Sequence, residues 1–309
     1  MIAVDRQSAL ISRWRRAREL VRSAIESSES HFEDDLLWSF APAWRRQLAD
    51  AWRFGDLEFQ FDNDIRILGD LSDHIESQAF LYGMQEGDRG LVRFLRRWWE
   101  KHSDATFVDV GANIGLYSLM AGSRLVRGRV YAFEPVKALF QRFSDNLVRN
   151  NLPNITAYNI ALSDRKGKAT VWIPIHNNKG MSSLYRRCED DVSEVCDVVT
   201  LDNWMLIAGV EKIDLLKIDV EGAEMAVLKG GLRTLVEHHP IIAVELSAEH
   251  LARSGHSVKD VCNLLRALDY RSYLIGNNGK LSVNRTDEWG AHQNAIFIYS
   301  DSVSGSGDI

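Results

Sequence analysis

From residue 105 onward, short runs rich in β-branched and aromatic residues alternate with helical segments, and that rhythm permits few folds. ATFVDV (105–110) leads into a helix from about 114, and RVYAFE (129–134) into a helix over 136–150. ITAYNIAL (155–162) reads as one strand, and KATVWIPI (168–175) as a hairpin extension after it. IDLLKIDV (213–220) precedes a helix over 222–236, and PIIAVEL (240–246) precedes one over 257–268. Strands alternating with helices pack as a parallel sheet with crossover helices. The last two runs, YRSYLIG (270–276) and NAIFIYS (294–300), have only a loop between them. Strands joined without a crossover helix are antiparallel neighbours. Residues 101–302 are therefore expected to form one α/β domain, with a mostly parallel seven-stranded sheet and an antiparallel last strand.

Residues 1–100 read as a helical extension containing a hairpin. SALISRWRRARELVRSAIES (8–27) has the apolar spacing of an amphipathic helix through Leu10, Ile11, Trp14, Leu20 and Val21. Arg6, Arg13, Arg15, Arg16, Arg18 and Arg22 stand there against Asp5 and Glu19. Two readings stand for this helix, contact with an anionic surface or partner and a docking helix with a solvated charged face, and a homodimer contact through the N-terminal helices is expected. A second helix is expected over 42–53, a hairpin over 57–69 turning at 62–64, and a helical stretch over 74–100. The tail 303–309 is expected to be disordered.

Composition narrows the function classes. The net charge is −6, and nucleic-acid binding depends on Lys and Arg neutralising phosphates, so no nucleic-acid partner is expected. Cys188, Cys196 and Cys262 are few and unpaired in spacing, which speaks against a disulfide framework or a zinc site. No run approaches the roughly 20 apolar residues that span a bilayer. No apolar core precedes a small-residue cleavage site near the N-terminus, so a cytoplasmic location is the expectation.

The first strand of the domain ends in Asp109-Val110-Gly111-Ala112-Asn113-Ile114-Gly115. Open parallel sheets bind ligands at the carboxyl ends of their strands, where this loop sits. The dinucleotide fingerprint G-x-G-x-x-G needs its second glycine to admit a pyrophosphate; here that position is Asn113. A carboxylate at Asp109 repels a pyrophosphate but suits the ammonium group of S-adenosylmethionine. The second strand ends in Glu134-Pro135, and an acid there accepts hydrogen bonds from ribose hydroxyls. The two acids together point to an adenosine-containing ligand.

The fourth strand ends Leu216-Lys217-Ile218-Asp219-Val220-Glu221-Gly222-Ala223-Glu224. Lys217 and Asp219 project from one face, and a charged pair in so apolar a run is costly unless paired or functional. Glu245 repeats the device in the fifth strand. Asp219 is the first choice for accepting an acceptor's proton, with Glu221 and Glu245 as alternates and Lys217 holding Asp219 ionised. The competing reading of Lys217, Glu221 and Glu224 is an ion-pair and capping cluster at the next helix. Magnesium held by Asp219 and Glu245 is a further expectation. His176, His238 and His239 are read as surface or loop residues, and the loop 175–186 as either a lid or a polar connection.

VDVGANIGLYS (108–118), AFEP (132–135), ALSD (161–164), LLKIDVEGAE (215–224) and VEL (244–246) together resemble the FkbM-type methyltransferase family. The likeness runs in order from about 105 to 246, more loosely back to 69–83. It implies a class I, Rossmann-like fold using S-adenosylmethionine, and usually O-methylation of a hydroxyl on a sugar, glycan or secondary metabolite. By that likeness Asp109, Gly111, Ala112, Asn113 and Gly115 line the methionine end. Glu134 and Pro135 then hold the ribose, Ala161 and Leu162 lie near the adenine, and Asp219 sits beside the sulfonium and the acceptor. Two rivals remain: an NAD-dependent oxidoreductase or epimerase, and an inactive S-adenosylmethionine-binding scaffold.

Overall fold

A computed structural model describes residues 56–303, apart from 63, 84–86, 176–177 and 287. The helices expected over 8–27 and 42–53, with the dimer contact assigned to them, and the tail 304–309 lie outside the described residues. The chain divides into two units between Arg89 and Gly90, where the sequence reading placed the domain boundary at 100.

In the first unit, β1 (Leu57–Gln60) pairs antiparallel with β2 (Arg66–Gly69), as the alternation predicts. The Ile65 amide donates to the Asp62 carbonyl at 2.7 Å to close the turn. Helix α1 (His74–Tyr82) starts at Asp73, whose carboxylate accepts from the Ile75 and Glu76 amides. It packs Phe80 edge-on against Phe59. The single helical stretch expected over 74–100 is two helices, because Gly83 adopts a left-handed conformation and ends α1.

Helix α2 (Arg89–Lys101), in the second unit from Gly90 onward, sets Trp99 edge-on against Phe107, 5.3 Å between ring centroids. Then come β3 (Thr106–Val110), α3 (Leu116–Arg124), β4 (Arg129–Phe133), α4 (Lys137–Asn150) and β5 (Ile155–Tyr158). Three strands follow, β6 (Ala161–Leu162), β7 (Gly167–Ile173) and β8 (Val192–Val199), and then α5 (Leu201–Ala208). The chain returns through β9 (Leu215–Ile218), α6 (Glu224–Gly230), α7 (Leu232–His238) and β10 (Ile241–Ser247). It closes with α8 (Ala248–Arg253), α9 (Val258–Ala267), β11 (Tyr270–Ile275), β12 (Leu281–Val283) and β13 (His292–Tyr299).

The main sheet has the order β12-β11-β13-β10-β9-β3-β4-β5. The run from β10 to β5 is parallel, and β13 lies antiparallel between β10 and β11. This is the mostly parallel class I sheet with its antiparallel pair, and the seven expected strands are joined by a short eighth, β12. Strand β9 (LLKI) is buried at every position because helices cover both faces.

Two expected elements divide differently. ITAYNIAL breaks at 159–160: β5 stays in the main sheet, while β6 joins β7 and β8 in a three-stranded side sheet. The expected helix over 222–236 breaks at Gly231 into α6 and α7.

This topology creates the crevice. From β3 the chain moves outward to β4 and β5 on one side, whereas β9 and β10 build the other side. Loops leaving the carboxyl ends of β3 and β9 therefore part in opposite directions. Open α/β sheets bind their ligands at such a switch point. The register sets Asp109 beside Lys217 and Val110 beside Ile218.

Candidate active site

The loop after β3 satisfies its own backbone. The Gly111 and Ala112 amides donate to the Phe133 carbonyl at 3.0 and 2.9 Å, and Gly115 donates to the Ala112 carbonyl at 2.8 Å. Asn113 donates its amide to Glu134 Oε2 at 2.8 Å, and Ile114 donates to Asn113 Oδ1 at 2.7 Å. All five amides from Gly111 to Gly115 are thus engaged within the protein. A pyrophosphate loop works by turning such amides toward the anion; this one has them committed elsewhere. Gly111 has φ +83°, and a Cβ there would lie 1.8 Å from the Asp219 carbonyl oxygen, so only glycine lets the β3 and β9 ends approach.

Glu134 is the joint between this loop and β4. Its second oxygen, Oε1, accepts from the Val136 amide at 2.9 Å. Burial pushes the carboxyl up to about 7 against these two amide bonds, with Asp109 and Asp219 adding to the rise. A carboxylate has about four lone-pair sites, so two amides leave room for two further donors. Asn159, which the sequence reading passed over, clamps the same turn by donating Nδ2 to the Glu134 and Pro135 carbonyls at 2.8 and 3.0 Å.

Lys217 is buried between two acids. Its Nζ lies 2.9 Å from Asp219 Oδ2 and 3.7 Å from Asp109 Oδ1, and 4.6 Å from the centre of the Tyr117 ring. Asp109 is 0% exposed and also accepts the Ser118 hydroxyl at 2.7 Å. One Asp109 oxygen, Oδ2, is held by Ser118, whereas Oδ1 faces Lys217 Nζ at 3.7 Å without a hydrogen bond. Burial raises the Asp109 carboxyl, and Lys217 and Ser118 offset this only in part. For Asp219, burial also works upward, but the Lys217 ammonium outweighs it and holds the carboxyl below its ordinary range. Asp219 keeps partial exposure and so is the member of the trio that faces the crevice.

Beyond Asp219 the structure gathers Glu221, Glu245, His250 and His292. His250 Nδ1 lies 2.6 Å from Glu221 Oε2, and His292 Nε2 lies 3.0 Å from Glu245 Oε1. Neither histidine was singled out from the sequence. Ser183 donates its hydroxyl to the Glu221 carbonyl at 2.7 Å, so the 175–186 segment does touch the site. Glu224 belongs to the helix start: it is buried and accepts the Gly222 amide at 2.9 Å, and burial pushes it up to about 7. Ala161 and Leu162, expected near an adenine, are buried in β6, with Leu162 in the apolar core. Magnesium shared by Asp219 and Glu245 gains no support, since Asp219 is already engaged by Lys217.

A family profile described as Methyltransferase FkbM domain matches residues 109–272, from the β3 loop into β11. The chain belongs to the FkbM methyltransferase family. The AMB antimetabolite synthetase AmbE of Pseudomonas aeruginosa is 34% identical to this FkbM-family chain, over 41% of this chain and 8% of that protein. The 2-O-methyltransferase NoeI of Sinorhizobium fredii is 26% identical over 54% of this chain and 73% of that protein. Of the first three curated relatives, the match spans 8%, 58% and 61% of their own lengths, less than two thirds in each case. A crystal structure of an FkbM methyltransferase from Methylobacillus flagellatus superposes with a TM-score of 0.44 at 17% identity, covering 86% of this chain and 60% of that one. An overlay that loose carries no weight for the site.

Proposed function

We propose that this chain is an S-adenosylmethionine-dependent methyltransferase acting on a hydroxyl of a sugar, glycan or secondary-metabolite acceptor. One observation carries the choice of cofactor. The switch-point loop commits all five of its amides internally and is ringed by carboxylates, so it fits a cationic nucleoside and not a pyrophosphate. The same point counts against the NAD reading. The cofactor supplies, when bound, an electrophilic methyl group on a positively charged sulfur.

The residues then divide the work. Glu134 accepts the ribose hydroxyls with the lone pairs its two amide donors leave free. Asp219 accepts the acceptor's hydroxyl proton as the oxygen–carbon bond forms and the carbon–sulfur bond breaks, the electron pair staying on sulfur as a neutral thioether. Lys217 keeps Asp219 ionised for that task and sits too deep to meet the acceptor itself. Displacement at a methyl group is in line, so much of the acceleration lies in holding oxygen, carbon and sulfur collinear. The hydroxyl class is supported by relatives whose names specify O-methylation, NoeI among them. A cytoplasmic setting remains part of the proposal. Among the described residues, no helix is long and apolar enough to cross a membrane.

The test is calorimetric titration of the full chain with S-adenosylmethionine, S-adenosylhomocysteine and NAD, followed by transfer of labelled methyl to a panel of hydroxylated acceptors. S-adenosylhomocysteine is expected to bind, with NAD silent. Binding of NAD alone ends this reading. Asp219→Asn is expected to lower kcat at least 100-fold while leaving cofactor affinity within a few-fold; unchanged turnover removes Asp219 from its role.

A further inference from the structure

We propose that Glu221, Glu245 and His250 form a binding site for a divalent transition-metal ion next to Asp219. The ion's meaning for catalysis rests on the methyl-transfer reading, but its binding does not.

Three elements converge on the point. Glu221 lies in the turn between β9 and α6, Glu245 near the end of β10, and His250 in α8. One ligand atom from each lies within 4.8 Å of the other two. Oxygen and imidazole ligands sit roughly 2.0–2.2 Å from such an ion, so ligands of one ion stand at most about 4.4 Å apart. Atoms within 4.8 Å of one another need at most a few tenths of an ångström of contraction to meet that limit.

The second observation is an orphaned pair. The His250 side chain is 8% exposed, and its Nδ1 lies 2.6 Å from Glu221 Oε2. Yet neither atom has a hydrogen-bond partner of acceptable direction. A plain ion pair in so buried a place would align the ring N–H with the carboxylate, because leaving a buried polar group unsatisfied is costly. A cation shared by the two atoms would satisfy both.

The backbone is built to hold this aim. Glu221 has φ +54°, a left-handed conformation uncommon for a residue with a side chain. Such strain persists where surrounding structure over-determines it, and it clusters at functional sites. Ser183 holds the Glu221 carbonyl, and the turn presses so close to α8 that a Cβ at Gly222 would lie 2.5 Å from the His250 carbonyl oxygen. His292, 56% exposed, holds Glu245 from the solvent side. Partners of this kind orient ligand carboxylates and raise metal affinity.

The donor set fixes the class of ion. Two carboxylates and one imidazole suit manganese, iron, cobalt or zinc, whereas magnesium prefers oxygen ligands and keeps its waters. Three protein ligands leave open positions, which would face the same crevice as Asp219.

Manganese(II) is the probe. The full chain is stripped with chelator and titrated with Mn2+, with the loss of the free-ion electron paramagnetic resonance signal as readout. One ion per chain is expected, with affinity reduced at least 10-fold in His250→Gln and in Glu245→Gln. Thermal unfolding reports whether each variant folds, and if one does not, the other carries the comparison. A parent chain that leaves the free-ion signal untouched overturns the proposal. So does a folded variant that binds Mn2+ as the parent does. S-adenosylhomocysteine calorimetry on the same samples separates the two readings: nucleoside binding without Mn2+ binding overturns the metal site alone. Mn2+ binding without nucleoside binding supports the metal site and removes the cofactor assignment.

Discussion

Lys217 is an ammonium with almost no water, held between two carboxylates and an aromatic face. Removing one partner of a buried ion pair leaves the other uncompensated, at a cost of about 3–5 kcal/mol. Lys217→Met is therefore expected to lower unfolding free energy by about that amount in urea titrations; a loss under 1 kcal/mol would mean Asp109 and Asp219 do not depend on it. Glu134 gives a pH signature. Its carboxyl is at about 7 in the folded chain against 4.5 in the unfolded one, so between those values the folded state binds the extra proton. Stability from this group is present below about 4.5 and falls as pH rises toward 7, by about 3 kcal/mol in all. Ribose hydroxyls favour the ionised form, so nucleoside affinity runs the other way and rises with pH up to about 7. Asp109 and Asp219 face the same carboxyl and strengthen both trends. Urea unfolding at pH 5.5 and 8 is expected to show a smaller loss in Glu134→Gln than in the parent, and a difference that stays constant across the range would assign the slope to another group.

At the scale of elements, the β3 loop and the turn after β9 behave as one unit. A methyl group at Gly111 would occupy the space of the Asp219 carbonyl, and φ +83° adds backbone strain. Gly111→Ala is expected to force the two strand ends apart, lowering Tm by at least 5 °C and abolishing nucleoside binding, with circular dichroism melts and calorimetry as the checks. A variant that melts and binds like the parent would show that this contact is not needed. These two elements were also the most legible in the sequence. A strand buried on both faces leaves a continuous apolar run, so charges at Asp109, Lys217 and Asp219 stood out against it. β8 was missed for the opposite reason. Its VSEVCDVV pattern has one face in solvent, so acids interleave with the valines and blur the signal. ITAYNIAL looked continuous because nothing in its composition reveals that Asn159 turns back to clamp Glu134. His250 and His292 had no local signature at all: His250, on α8 just after β10, meets Glu221 from the turn after the neighbouring β9, and His292 reaches Glu245 through the β10–β13 register, which sets Ser247 opposite His292.

For the whole molecule, the consequence of the strand order is that residues from 109 to 245 close around one crevice. A ligand that touches loops after β3, β4 and β9 binds only when all those strands are in register, so it binds the folded state and not the unfolded chain. Stabilisation then follows mass action, about 2.7 kcal/mol when free ligand is at 100 times its Kd. Saturating S-adenosylhomocysteine is expected to raise Tm by several degrees and to keep raising it with concentration, whereas NAD at the same level leaves it unchanged. Hydrogen exchange sharpens the point. Slowing should concentrate at 111–115, 134–136 and 219–224, three segments far apart in sequence that meet only at the switch point. The side-sheet strands β7 and β8 should exchange as before, since their pairing is complete without a ligand. Slowing confined to the side sheet, with the switch-point loops unaffected, would place the nucleoside elsewhere on the fold and leave Asp219 without a reaction to serve.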